Sequence, residues 1–142
     1  MRIPVQAVAL LLAGGLAGYA LAEEDLLQKY LPLAAAPQHH RAVLDNDAVR
    51  VLDVRIPPGD TVPAHQHDLP SIFITLSPAD LVFRNLAGET VRNVRRSRDS
   101  DSEPSVEWRD PAPAPRIVSN VDTVELHALR IELKPDRAGR PR

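Results

Sequence analysis

Two histidines, His65 and His67, are the residues whose type and spacing could do chemistry. They follow a Pro-Pro-Gly turn at residues 57–59 and precede an apolar run at residues 72–76. Side chains two positions apart on a strand share a face, so we expect both imidazoles to point the same way. Such a pair can form half of a metal site or the polar floor of a pocket. A pair of exposed histidines in a proline-rich loop is the alternative.

The first 22 residues are typical of a secretory signal peptide. Arg2 supplies a positive charge, residues 5–21 are uncharged and largely apolar, and Ala20 and Ala22 provide small residues before an acidic stretch. Glycines interrupt the apolar run, which is at the short limit for a membrane span, so a retained anchor is the minority alternative. We expect cleavage after Ala22, a periplasmic or secreted protein, and no stable membrane insertion after cleavage.

The length and composition of the remaining chain indicate a single domain and exclude several classes of function. About 120 residues follow the signal peptide, which is the size of a single domain. The absence of cysteine excludes disulfides and thiolate chemistry. The net charge of -2 comes without a basic stripe that would predict a nucleic-acid partner. Fourteen prolines and 4% aromatic residues favour short strands joined by stiff turns, hence an all-β fold.

The pattern along the chain divides it into four segments. Residues 1–22 form the signal peptide, 23–36 a short N-terminal helix and linker, 37–134 the barrel, and 135–142 a disordered basic tail. The helix is predicted over residues 23–31 and is expected to end at Pro32. Strand patterns with their separating turns occur at residues 37–44, 49–56, 72–76, 81–84, 90–94, 106–108 and 121–133. Residues 95–105 mix charges without an apolar residue and predict a mobile, solvated loop.

The sequence contains three further histidines, His39, His40 and His127, and a single tryptophan, Trp108. His39 and His40 are adjacent in the predicted first strand, so at most one can face inward, and we expect both to lie on the surface. His127 shares parity with the apolar residues of the last strand, so it could face into the barrel, but such a histidine more often packs with a satisfied hydrogen bond. Trp108 is expected to pack in the core near the barrel mouth, with ligand stacking as the alternative.

The order of short strands, with a histidine pair after a Pro-Gly turn, resembles the cupin superfamily, in particular small single-domain RmlC-like cupins. Gly59, His65 and His67 match the first cupin motif, while its glutamate position falls on Ser71 or the next residue. Aligning the end of the second motif on Asn120 places Arg116 at its histidine position. The resemblance covers residues 37–134 and implies an all-β fold, a cupin-type double-stranded β-helix (jelly-roll) barrel.

The resemblance also bears on metal binding. Metal-binding cupins use the two motif histidines, the glutamate and the second-motif histidine, and this chain keeps only His65 and His67. Two neutral ligands hold a divalent cation weakly, and the guanidinium of Arg116 has no lone pair to offer. We therefore expect no tightly bound cofactor, with Fe, Mn, Zn or Ni as the alternative. Three residues could complete a ligand set: Asp68, His40 and His127.

A metal-free barrel mouth would be basic. Its expected ligand-binding residues are His65, His67, Ser71, Trp108 and Arg116. An arginine fork beside imidazoles suits a carboxylate or phosphate, so the sequence predicts binding of a small anionic or sugar-acid ligand.

Two other classes of function stay open. One is an enzyme, either a metal-dependent dioxygenase or isomerase using His65 and His67, or a metal-free epimerase or lyase with a histidine base. The other is a structural barrel that forms a homodimer through its sheet edges. No catalytic residue is assigned, and the sequence does not distinguish binding from turnover.

Overall fold

The computed structural model describes residues 28–96 and 104–136. The described chain contains a short helix, α1, and nine antiparallel strands in two sheets. The five-stranded sheet has the order β1-β2-β9-β4-β7, and the four-stranded sheet has the order β3-β8-β5-β6. The elements are α1 (Pro32–Ala35), β1 (His40–Asp45), β2 (Val49–Ile56), β3 (Thr61–His65), β4 (Ser71–Ser77), β5 (Leu81–Arg84), β6 (Thr90–Val94), β7 (Ser105–Arg109), β8 (Arg116–Asn120) and β9 (Leu126–Leu133).

The core lies between the two sheets. Leu52 on β2 and Ala128 on β9 are fully buried in one cluster, and Val62 on β3 is fully buried in another. Burying an aliphatic side chain such as Leu52 contributes about 1.5–3 kcal/mol relative to leaving it exposed. Apolar burial on the inner faces therefore holds the two sheets together.

The last strand sends its charged residues inward. Along β9, Leu126, Ala128, Arg130 and Glu132 are buried, while the alternate positions are only partly buried. His127 packs with a satisfied hydrogen bond, as expected, rather than facing inward: its Nε2 bonds to Asp53 Oδ1 at 2.8 Å, outside the histidine cluster described below. The apolar residues that share its parity form the partly covered outer face of the sheet.

Two glycines adopt the left-handed conformation that their turns require. Gly59 follows the two prolines with φ of 74°, and Gly88 closes the β5–β6 hairpin with φ of 82°. A residue with a Cβ is strained in this region, which is why glycine is favoured there. Both positions were expected to be turns.

The N-terminal expectations fall partly outside the described residues. Residues 28 and 29 are helical and residues 30 and 31 follow as a turn and a bend, whereas residues 23–27 of the expected helix and the signal peptide lie outside the described residues. Pro32 begins α1 rather than simply stopping a helix, since proline lacks only an N–H that the first turn leaves unpaired. Among the described residues, no helix is long and apolar enough to cross a membrane. The basic tail and most of the 95–105 loop also lie outside the description.

The C-terminal strands differ from the expected ones. β8 was not predicted, and the last strand begins at Leu126 rather than at residue 121. Asn120 explains the break between them. Its buried side chain donates to the carbonyl oxygens of Ile56 and Val124, both at 2.8 Å, and accepts from the backbone N–H of Asp122 at 2.9 Å. These bonds hold residues 121–125 in a turn.

Candidate metal centre

Three buried histidines meet inside the barrel. His40 begins β1, His65 ends β3, and His67 follows two residues later; they are 3%, 8% and 8% exposed. The ring centroid of His40 lies 4.8 Å from that of His65 and 5.3 Å from that of His67, and the His65 and His67 centroids are 5.3 Å apart. One nitrogen from each ring lies within 4.8 Å of the other two. Rings this close can bind one small ion together.

The hydrogen bonds decide which nitrogen of each ring is available. His40 Nδ1 lies 3.2 Å from the Ala36 carbonyl oxygen, and His65 Nδ1 lies 2.9 Å from the Pro63 carbonyl oxygen. His67 Nδ1 lies 2.8 Å from Glu132 Oε1. Carbonyl and carboxylate oxygens only accept, so each Nδ1 carries the proton and donates it. In a neutral ring the lone pair is then on Nε2, which is the nitrogen a metal needs.

The protonation state agrees with this assignment. Burial and, to a smaller extent, the neighbouring His65 and His67 rings together lower the pKa of His40 to about 3. Burial lowers the pKa of His65 and places that of His67 well below its ordinary value, and the Arg130 charge acts in the same direction on both. All three imidazoles are therefore neutral at neutral pH and keep their Nε2 lone pairs.

A buried carboxylate from another strand supports His67. Glu132 is fully buried; its Oε1 accepts from His67 and its Oε2 accepts from Arg50 Nε at 2.8 Å. Ser71, at the cupin glutamate position, is the cross-strand partner of Glu132. In place of a glutamate on β4, this chain thus has a glutamate at the same level of the sheet on β9. Its carboxylate contacts His67 at Nδ1, the nitrogen that would not bind the metal. A carboxylate on the non-ligating nitrogen orients a metal-binding histidine and raises its basicity.

A cavity of about 280 Å³ adjoins the three histidines. Its charged lining residues are Arg92, Arg95, Arg96, Arg109, Arg130 and Glu107. Arg109 is paired with Glu107 at 2.8 Å, and Arg95 with Asp80 at 2.8 Å. Arg96 also lies 3.5 Å from Asp122. Arg92 and Arg130 are then the lining arginines for which the described residues show no ion pair shorter than 4.0 Å, and they make the cavity electropositive.

The other predicted ligand-binding residues, Arg116, Ser71 and Trp108, are not among those that line this cavity. Arg116 pairs with His65 across β8 and β3 and is partly exposed. Ser71 is fully buried, and its Oγ has no partner. Trp108 is 57% exposed, and its Nε1 donates to Asp110 at 3.0 Å. Core packing of Trp108 is therefore wrong, because β7 is an edge strand whose outer side meets solvent.

The expectation that His39 and His40 both lie on the surface is also wrong, since they are 7% and 3% exposed. The alternation argument failed because β1 begins at His40 and leaves His39 in the preceding turn. There the His39 Nε2 reaches Asp60 Oδ2 at 3.0 Å. Of the residues considered for completing a ligand set, His40 joins the cluster, whereas Asp68 and His127 do not.

The donor set fits a divalent transition metal. Imidazole nitrogens suit Zn, Fe, Ni and Cu, and three protein ligands are the usual number in catalytic zinc sites. His40, His65 and His67 would hold the ion through Nε2, and Glu132 would fix the orientation of His67. The guanidinium of Arg116 does not line this cavity, so it does not stand in place of a ligand there.

Comparison with known structures agrees on the fold. The chain is similar to a cupin domain from Bordetella pertussis Tohama I, at 23% sequence identity and a TM-score of 0.53, covering 68% of this chain and 92% of that one. A RmlC-like cupin family protein with a double-stranded β-helix fold from Methanocaldococcus jannaschii matches at 12% identity and a TM-score of 0.48, over 67% of this chain and 78% of that one. No family model matches the chain, and no curated protein does.

The similarity to the Bordetella pertussis cupin domain, together with the two antiparallel sheets, confirms the predicted fold. The chain has the all-β, cupin-type double-stranded β-helix fold.

Proposed function

We propose that this protein is a metal-dependent cupin-fold enzyme acting on a small molecule in the cavity beside His40, His65 and His67. One observation carries the proposal. Each of these buried rings uses Nδ1 as a donor to a protein oxygen, which leaves three neutral Nε2 atoms for one ion. Three imidazoles oriented in this way are costly to bury without a partner, and a divalent cation is the partner they suit.

The bound ion would act as a Lewis acid on a coordinated oxygen of water or substrate. The chain's own residues would do the rest. Glu132 holds the His67 ring in place, because it accepts the Nδ1 proton and is itself held by Arg50. The apolar side chains of the cavity wall would displace water from a bound substrate, which would strengthen charge interactions with it. The lining arginines favour substrates that carry negative charge.

The test is metal binding by the untagged protein. After treatment with chelator, the protein is titrated with Zn²⁺ and with Co²⁺, whose visible absorption reports its coordination. We expect one ion per chain and at least about 100-fold weaker binding in His40→Ala, since loss of even an outer-shell partner costs about 10- to 100-fold.

His127→Ala is the matched control, because His127 is bonded to Asp53 and lies outside the cluster. It should bind metal as the parent does. Failure of the parent protein to bind either ion at micromolar concentration contradicts the proposal, and so does unchanged affinity in His40→Ala.

A second candidate is metal-free binding of a small anionic ligand in the same cavity. The observation that favours it is Arg130, a buried cavity residue whose Nε has no hydrogen-bond partner among the described residues. Under this alternative, chelator-treated protein would bind small carboxylates, and His40→Ala would leave that binding unchanged. Loss of carboxylate binding on chelation would reject it.

We also propose that the protein is exported and that it can pair through its sheet edges. The N-terminal sequence pattern supports export, and the exposed β7 edge, with Val106 67% exposed, supports pairing. Mass spectrometry of the protein recovered from the periplasm or medium should find residue 23 at the N-terminus. Light scattering should give a dimer mass. A retained N-terminus or a monomer mass would reject the respective proposal.

A further inference from the structure

Arg130 is a buried guanidinium that lines the cavity. Its side chain is 8% exposed, and it comes from the inward-facing parity of β9. Its Nε is buried and has no hydrogen-bond partner among the described residues, where the carboxylate oxygen that it approaches, Glu132 Oε1, is 4.0 Å away. That separation is too long for a hydrogen bond. Arginine is almost never buried unless it is paired, so this position calls for a partner.

Glu132 does not fill that role. One of its oxygens accepts from Arg50 and the other from His67, each at 2.8 Å. Burial lowers the pKa of Arg130 to about 10, against the opposing effect of the Glu132 charge, so the guanidinium stays charged at neutral pH. Two guanidinium groups thus share one buried carboxylate, and a second anion would balance the charge.

Part of the cavity wall is apolar: it includes Ile56, Val62, Leu81, Phe83, Val118 and Leu126. A sugar acid would bury hydroxyl groups against this wall without hydrogen bonds, which is costly. An aliphatic or aromatic group would instead gain from the contact. The volume of about 280 Å³ limits the occupant to a small molecule.

We propose that the cavity takes a small organic monocarboxylate with an apolar body, whose carboxylate binds Arg130 and whose body lies against the apolar wall. The inference rests on the proposed function, because the same cavity would hold the substrate beside the metal. A carboxylate suits this site because its two oxygens match the planar guanidinium fork. Acetate carries the charge without the body, and inorganic phosphate carries charge but has no apolar body to lie against the wall.

The experiment measures binding of hexanoate by calorimetry, to chelator-treated and to Zn²⁺-loaded protein. Hexanamide, acetate and inorganic phosphate serve as comparison probes. We expect hexanoate to bind at least 10-fold more tightly than each of the three. In Arg130→Gln, hexanoate should lose at least 10-fold in affinity while hexanamide binding is unchanged, which also shows that the variant is folded. In Arg130→Lys, which keeps the charge but loses the fork, the loss should be smaller.

Arg116→Gln is the matched control, since this arginine does not line the cavity and should leave hexanoate affinity unchanged. Equal binding of hexanoate and hexanamide overturns the inference. Tighter binding of phosphate overturns it, and so does a loss in Arg116→Gln without one in Arg130→Gln. Metal titration of Arg130→Gln separates the two proposals. If Arg130→Gln binds Zn²⁺ and the parent protein does not bind hexanoate, only this inference is refuted. If the parent protein binds hexanoate but no metal, only the proposed metal centre is refuted.

Discussion

Replacing Glu132 with Gln should strongly destabilise the metal-free protein. The carboxylate is fully buried and accepts hydrogen bonds from Arg50 and His67 at 2.8 Å each. Gln has nearly the same shape, but its amide can accept from only one of the two donors and turns an N–H toward the other. The change also removes the only negative charge bonded to Arg50 in the described structure, leaving two nearby cations.

The expected loss is about 3 kcal/mol in the free energy of unfolding, from one charge-assisted hydrogen bond and one unpaired buried donor. The Arg50 side chain is 19% exposed, so water compensates part of its loss, and we take the lower end of the range for broken buried pairs. With an m-value of about 2 kcal/mol/M, the urea midpoint should fall by about 1.5 M. Metal affinity should also fall by about 10- to 100-fold, because His67 loses its orienting carboxylate.

Urea unfolding of chelator-treated protein, followed by Trp108 fluorescence and by circular dichroism, measures the stability change. Glu125→Gln is the matched control: this glutamate also bonds to an arginine, Arg55, but 39% of its side chain is exposed. Solvent screens such pairs, so its midpoint should stay near the parent value. If Glu132→Gln has the same midpoint as Glu125→Gln, the assigned role of the buried carboxylate network is refuted.

Three other predictions concern the core, one turn and one histidine–carboxylate pair. Leu52→Ala should lower the free energy of unfolding by about 3 kcal/mol, because it leaves a cavity in the core. Leu86→Ala is the control and should lower it little, because Leu86 is 56% exposed. Equal urea midpoints for the two variants would contradict the assigned core. Gly88→Ala should cost about 1 kcal/mol because its φ of 82° strains a Cβ although no atom lies within 4 Å, and an unchanged melting temperature would refute this. The hydrogen bond from His39 lowers the pKa of Asp60 below its ordinary value of 3.8, so this carboxylate stabilises the fold above about pH 4, and the effect is lost as the pH falls through the lowered pKa. The stability difference between the parent and Asp60→Asn should therefore shrink between pH 5 and pH 2, and a constant difference would contradict the pairing.

Local patterns in the sequence were sufficient to predict most of the strands and turns of the barrel. Alternation over residues 49–56, the turns at Gly59 and Gly88 and the hairpin strands were predicted within a few residues. The orientation of a strand was not predicted where nothing in the neighbouring sequence indicates which of its two faces is buried. On the last strand, the apolar parity of His127 lies outward while Arg130 and Glu132 point inward. The buried Glu132 is tolerable there because Arg50 balances its charge and both Arg50 and His67 donate hydrogen bonds to it.

The candidate site was predicted only in part for a related reason. His65 and His67 were identified because they are close in sequence and follow a marked turn. His40 was considered only as a substitute ligand, since the start of β1 was misplaced by three residues and the adjacent His39 was assigned to the same strand. Arg116 was given the anion-binding role that the cavity lining favours for Arg130. Nothing near His40 or Arg130 in the chain distinguishes them from surface residues.

By itself, the sequence determined the strand alternation, the places where proline and glycine break it, the histidine pair, and hence the class of fold. Only the tertiary structure decided what surrounds that pair. The pairing of β2 with β1 and β9, and of β9 with β4, brings His40, Arg130 and Glu132 to His65 and His67 from distant parts of the chain. His67 and Glu132, for example, are 65 residues apart in sequence. The physical reason is that strand register depends on the packing of many side chains at once. A single strand carries two possible faces, and only its neighbours determine which one is buried.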